Sequence, residues 1–172
     1  MRIVIAFTAI LASTIAAHAA PFDVYRSACL DSGVDLVRIR ANAAAQKWLA
    51  LSDAERDQLA PGNPSAVEGW AIAKDGGRYV VSIASNTVGG GAGDRSGSSV
   101  ASCSVMTPKA DEAAAAKAYG AYLKRKPSSE DKADGISTYT WSVQDTQNLT
   151  LHYLVAGGSL PGLSLSVSSI RK

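Results

Sequence analysis

The stretch Trp70–Ile83, WAIAKDGGRYVVSI, places two alternating apolar runs on either side of a cluster of turn residues. Apolar side chains recur at every second position before and after Asp75-Gly76-Gly77, which is the spacing of a strand with one packed face. Aspartate and glycine tolerate the backbone angles of a tight hairpin turn. We therefore predict a β-hairpin here, and an antiparallel sheet as the main element of the fold.

Further segments alternate in the same way. One strand is expected from about Ser98 to Met106, and three more at about 139–143, 149–155 and 163–167. Between the two groups lies an alanine-rich helix, for which Thr107 is the expected N-cap and Pro108 the first residue. The order of three strands, one helix and three strands would fit an internal duplication, although no residue motif recurs between the halves.

The spacing before the hairpin is helical. Helices are expected over about 22–32, 34–51 and 53–59. Cys29 lies on the inner face of the first of these helices, and Val37 and Ala41 on the inner face of the second. Ser52 and Glu55 form a capping-box pattern at the start of the third.

These elements predict an α+β fold in which N-terminal helices precede two βββ units joined by a helix. About six strands would form the antiparallel sheet, with the helices packed on one face, and residues 20–172 would form a single domain. The polar segment 127–135 is expected to be turn-like. The glycine-rich segment 89–97 is expected to be a flexible hairpin connection rather than a phosphate-binding loop, because no Gly-Lys-Ser/Thr follows it.

Residues 1–19 have the pattern of a signal peptide. Arg2 supplies a positive start, residues 3–17 are apolar, and Ala17-His18-Ala19 has the small-x-small form that signal peptidases accept. The apolar run is short for a membrane span. We therefore expect cleavage after Ala19 and a periplasmic or secreted protein without a membrane span.

The composition of the chain excludes several classes of function. Its 172 residues include 17 Lys plus Arg against 15 Asp plus Glu, and this small net charge of +2 gives no reason to expect nucleic acid as a partner. Two cysteines cannot build a four-thiolate zinc or iron–sulfur site, and we expect no metal and no cofactor. In an exported protein Cys29 and Cys103 most simply form a disulfide, with free thiols as the alternative.

His152 is the only histidine that remains after cleavage at Ala19. Its unperturbed pKa lies near neutrality, so a hydrolase would have to use it as general base with a serine nucleophile. The alternation of its strand predicts that it shares the solvent face with Thr150, and the chain has no G-x-S-x-G motif. A solvated histidine is therefore favoured over a catalytic one.

Aromatic side chains are expected to share the packed face of the sheet. They are Trp70, Tyr79, Tyr139, Trp141 and Tyr153. Such residues usually fill a core, but they could also line a ligand cavity beneath a helix whose small alanines leave space opposite the rings. Because the sequence shows no group of residues that would together form a catalytic site, we expect a non-enzymatic binding or interaction module. Its partner would be an unknown protein or a small apolar ligand. The alternatives are a hydrolase and a structural accessory subunit of an envelope complex.

Overall fold

The computed structural model of the chain describes residues 20–88, 98–108, 110–145, 148–157 and 162–171. The expected signal peptide and the glycine-rich connection lie outside these residues. The helices are α1 (Ala20–Tyr25), which continues as a π-helical turn over Arg26–Leu30, α2 (Leu36–Ala45), α3 (Asp53–Leu59) and α4 (Glu112–Leu123). The strands are β1 (Leu49–Ala50), β2 (Val67–Lys74), β3 (Gly77–Val88), β4 (Ser98–Thr107), β5 (Ser129–Ala133), β6 (Ile136–Gln144), β7 (Asn148–Gly157) and β8 (Leu163–Arg171).

Within the described ranges the strands form one antiparallel sheet of eight, in the order β1-β2-β3-β4-β8-β7-β6-β5. The hairpin of β2 and β3 is confirmed, and its two turn residues, Asp75 and Gly76, both have positive φ. Two meanders, β2–β4 and β6–β8, meet where β4 pairs with β8. The sheet is wider than the six strands expected because β1 and β5 extend its two edges.

Strand β5 corrects the expectation that segment 127–135 is turn-like. Its residues pair with β6 from Ser129 and Thr140 to Ala133 and Ile136, and every one of them is exposed. Charged side chains are a common protection for the edge of a sheet, because they discourage pairing with another chain. Here they also remove the apolar alternation by which a strand is recognised.

Helix α2 is shorter than the predicted 34–51 and buries a different face. It ends at Ala45, and Leu49-Ala50 pair with β2 instead of continuing the helix. Ile39 and Ala43 are buried, whereas Val37 is 70% exposed. The packing of Ile39 into the core therefore decides the inner face, and the predicted stripe through Val37 was wrong.

Helix α4 begins later than predicted. Thr107 still pairs with Leu163 as part of β4, so the chain is extended where the N-cap was expected. Asp111 caps the helix instead, and its carboxylate accepts a hydrogen bond from the backbone N–H of Ala114 at 3.0 Å. Aspartate is as good a cap as threonine, and the ladder between β4 and β8 delays the start of the helix.

The two faces of the sheet differ in chemistry. The first face carries the buried apolar residues of the central strands, which are Val81, Ile83, Cys103, Val105, Leu165 and Val167. The second face carries the residues between them, which are mainly serines: Ser82, Ser102, Ser104, Ser164, Ser166 and Ser168. Strand alternation accounts for this division, with a packed side and a more polar side.

The helices pack on both faces of the sheet, which corrects the expectation that they share one. Helix α1, the π-helical turn and α4 contact the central strands on the first face, where the core lies. The disulfide between Cys29 and Cys103 is confirmed, and it joins the π-helical turn to β4 with both sulfurs buried. Helix α3 lies over the second face, because its Leu59 lines a cavity together with Ser82 and Ser104 of that face.

Candidate functional site

The aromatic residues of interest do not form one site. Trp141 is fully buried and stacks on Tyr119 with ring centroids 4.6 Å apart. Tyr79 and Tyr139 are also buried on the first face, whereas Trp70 is half-buried there against Trp48. These residues behave as core, as aromatics at such positions usually do.

Tyr153 lies on the second face, opposite Ser166, and is half-buried. The prediction that it shares the packed face was wrong. Strand β7 carries apolar side chains on both of its faces, so alternation alone does not show which set is inside. The neighbouring strands decide, because Leu154 of β7 pairs with the buried Leu165.

His152 is likewise on the opposite face to the one predicted. It is buried on the first face, between Trp141 of β6 and Val167 of β8. Its ring meets the edge of Tyr119 with centroids 5.7 Å apart. The solvent-face prediction was therefore wrong, for the same reason as for Tyr153.

The surroundings of His152 keep its imidazole neutral. Burial, and to a lesser extent the positive charge of Arg125, lowers the pKa of His152 to about 4. Its Nδ1 is buried, and it has no hydrogen-bond partner in the described part of the chain. A general base needs a hydrogen-bonded nucleophile and an orienting group, so this arrangement gives no support to the hydrolase alternative.

The burial of His152 predicts a loss of stability in acid. The pKa of His152 is about 4 in the folded protein and 6.5 in the unfolded chain. Above pH 6.5 the histidine is neutral in both states, and its contribution to the free energy of unfolding is fully present. That contribution disappears as the pH falls from 6.5 to about 4, because the unfolded chain binds the proton first. We expect it to amount to about 3 kcal/mol in the free energy of unfolding.

Urea unfolding of the wild type and of His152→Leu, across this pH range, measures the effect. The variant should stay folded, because removing a buried polar atom that has no partner costs little. Its free energy of unfolding should depend less on pH than that of the wild type, and parallel pH profiles for the two proteins would contradict the prediction.

A groove lies on the second face, beside α3. Leu51 anchors the start of this helix: it is buried, and its Cδ1 lies 2.6 Å from the position that a Cβ on Gly69 would occupy. Gly69 therefore provides the space into which Leu51 packs. No residue of α3 itself is buried, so the helix covers the sheet without sealing it.

The groove has a volume of about 470 Å³. Its lining is mainly apolar and includes the side chains of Leu51, Leu59, Val80, Met106, Val155 and Ile136. An adjoining cavity of about 260 Å³ shares Leu59 and Met106 with it and extends toward Ser104. Because of these two spaces, the region between α3 and the second face of the sheet is only partly filled by side chains.

Two glycines contribute main chain to the lining of the groove. Gly157 and Gly162 both line it and both have positive φ. A Cβ on Gly157 would lie 2.1 Å from the carbonyl oxygen of Gly135, and a Cβ on Gly162 would lie 2.2 Å from that of Thr107. Only glycine fits at these two positions, so main chain rather than side chains forms this part of the lining.

The groove carries an ion pair between two of its lining residues, Arg78 and Glu55. Arg78 Nη2 donates to Glu55 Oε1 at 2.5 Å. The predicted capping box of α3 is also confirmed, because the other carboxylate oxygen, Oε2, accepts from the backbone N–H and the hydroxyl of Ser52, both at 2.8 Å. The bonds from Ser52, and to a lesser extent the one from Arg78, lower the pKa of Glu55.

Sequence reasoning did not find this groove. None of the five aromatic candidates and neither cysteine lines it. The available signal was indirect: Leu51 precedes α3 and Leu59 ends it, and the residues between them are mostly polar and offer no wide apolar stripe. A helix of this kind cannot pack tightly on a sheet, and space beneath it is the consequence.

The described residues show no group of three or more His, Cys, Asp or Glu that could hold a metal ion. Nor does any helix in the described ranges have the length and apolar character needed to cross a membrane. Comparison with protein-family models, with curated proteins and with solved structures gives no match for this chain. Any functional interpretation therefore depends on the site itself.

Proposed function

We propose that the protein is an exported binding module that holds a small apolar ligand in the groove between α3 and the second face. The groove is the main observation that supports this proposal. Its volume of about 470 Å³ falls within the roughly 300–1,000 Å³ of small-molecule sites, which are typically apolar with a few polar groups that orient the ligand. Here the polar side chains of the lining include Gln58 and the paired Glu55 and Arg78.

The loose packing of α3 supports the same proposal. The helix is fastened mainly by Leu51 at its start rather than by a buried stripe of its own, and its ion pair from Glu55 to Arg78 is exposed and adds little. A short element held by few contacts opens at low cost in free energy. Helix α3 can therefore move outward to admit a ligand and return over it.

Two features support the exported location. Residues 1–19 have the signal-peptide pattern, and the disulfide between Cys29 and Cys103 is a bond that persists mainly in oxidising compartments. A periplasmic or secreted binding protein would have both a signal peptide and a disulfide. The protein would then act outside the cytoplasm on a ligand that is poorly soluble in water.

Binding of the neutral dye N-phenylnaphthylamine tests the proposed function. The wild type should enhance its fluorescence saturably, because the dye enters an apolar site. Ser164 lines both the groove and the adjoining cavity, so Ser164→Trp should fill the space and weaken dye binding about ten-fold, a loss of about 1.4 kcal/mol.

Thr140→Trp is the matched control. Thr140 lies on the same face of the sheet, in β6, and does not line the groove, so this variant should bind the dye like the wild type. Circular dichroism checks that both variants are folded. Unsaturable dye binding by the wild type, or equal affinities for the two tryptophan variants, would refute the proposed function.

A further inference from the structure

The charges at the rim of the groove narrow the class of ligand. We infer that the groove takes an amphipathic carboxylate, with its apolar chain between α3 and the second face and its headgroup on Arg78. This inference rests on the proposed function, since it assumes that the groove is a ligand site. It adds the chemistry of the headgroup and the residue that recognises it.

Arg78 has unused capacity for an anion. A guanidinium carries five N–H donors in a planar fork that matches the two oxygens of a carboxylate. The hydrogen bond to Glu55 uses Nη2, and the side chain is 53% exposed. Arg78 lines the groove, so its remaining donors are available to the headgroup of a ligand bound there.

Glu55 does not depend on Arg78 for its place in the structure. Two hydrogen bonds from Ser52 hold its Oε2 as part of the capping box, whether or not Arg78 is paired. An exposed ion pair of this kind contributes little to stability. Arg78 can therefore turn toward a ligand carboxylate, or share its fork between the ligand and Glu55, without unfolding the start of α3.

A cationic headgroup fits this rim less well. Arg78 and Glu55 are its two charged residues among the described ones that line the groove. The carboxylate of Glu55 already accepts from Ser52 on one oxygen and from Arg78 on the other. A ligand cation would have to displace Arg78 and would meet its positive charge. A ligand anion meets free donors on Arg78, and the bonds from Ser52 and Arg78 to Glu55 weaken the repulsion between the two carboxylates.

Competition between decanoate and decanol for the bound dye tests this inference, because the two ligands share an apolar chain and differ in the headgroup. The quantity of interest is the affinity for decanoate divided by the affinity for decanol. Arg78→Gln should lower this ratio about ten-fold, since it removes a charge-assisted pair. Arg40→Gln, which breaks an exposed ion pair with Glu68 away from the groove, should leave the ratio unchanged.

Glu55→Gln provides the complementary variant. Glutamine also serves in a capping box, so α3 should keep its start, while the loss of the negative charge frees Arg78 and removes a repulsion. Decanoate affinity should rise about three-fold, with decanol affinity unchanged.

The results separate the inference from the proposed function. If both ligands displace the dye but neither Arg78→Gln nor Glu55→Gln changes the ratio, the inference is overturned and the apolar site stands. If neither ligand displaces the dye and the dye itself does not bind, both are overturned. A lower ratio in Arg78→Gln together with a higher one in Glu55→Gln supports the inference.

Discussion

Replacing both Cys29 and Cys103 by alanine is expected to lower the free energy of unfolding by about 4 kcal/mol. The disulfide closes a loop of 74 residues, and a crosslink over a loop of this length strongly restricts the unfolded chain. Both sulfurs are fully buried, so the two alanines also leave space in the core. The double replacement avoids a lone reactive thiol.

Urea unfolding followed by circular dichroism measures this loss. Wild-type protein that is unfolded and reduced before the titration is the control, because it has the same side chains without the crosslink. It should lose about 4 kcal/mol for the crosslink alone, and any larger loss in the double variant measures the space left by the two alanines. A difference of less than about 1 kcal/mol between oxidised and reduced protein would mean that the bond contributes little to stability.

Trp141→Ala is expected to cost about 4 kcal/mol, a loss of similar size from a different source. The indole is fully buried, stacks on Tyr119 and lies 6.3 Å from the ring of Tyr139. Alanine would remove these contacts and leave a large cavity between α4 and the sheet. The indole N–H has no partner in the described part of the chain, so the cost comes from packing rather than from a hydrogen bond.

Two variants control for this interpretation. Trp48→Ala removes the same side chain from a half-buried position, where its ring meets Trp70 edge-on, and should cost about 1 to 2 kcal/mol. Trp141→Phe keeps an aromatic ring in the core and should cost much less than Trp141→Ala. Equal losses for Trp48→Ala and Trp141→Ala, measured by urea unfolding, would contradict the central role of Trp141.

Local features of the fold could be predicted from the sequence because nearby residues determine them. The turn at Asp75-Gly76 and the capping box of Ser52 with Glu55 depend on side chains within a few positions of each other. The disulfide followed from counting, since two cysteines allow one pairing. These features were confirmed.

Other features depend on residues that are distant in the sequence. The face on which His152 lies is decided by Trp141 and Val167, its neighbours across two strands. β5 becomes a strand because Ile136–Thr140 offers it a partner, although its own residues are polar. The groove depends on where α3 docks, and the helix sequence carries no pattern that specifies the second face.

The junction of β4 with β8 has a consequence for how the chain reaches this structure. Each meander joins strands that are neighbours in sequence, so each can form by short-range pairing. The sheet becomes continuous only when sequence-distant partners such as Cys103 and Val167 meet. Closing so long a loop costs conformational entropy before any contact between the two strands stabilises it. We therefore expect the pairing of β4 with β8 to govern the folding rate.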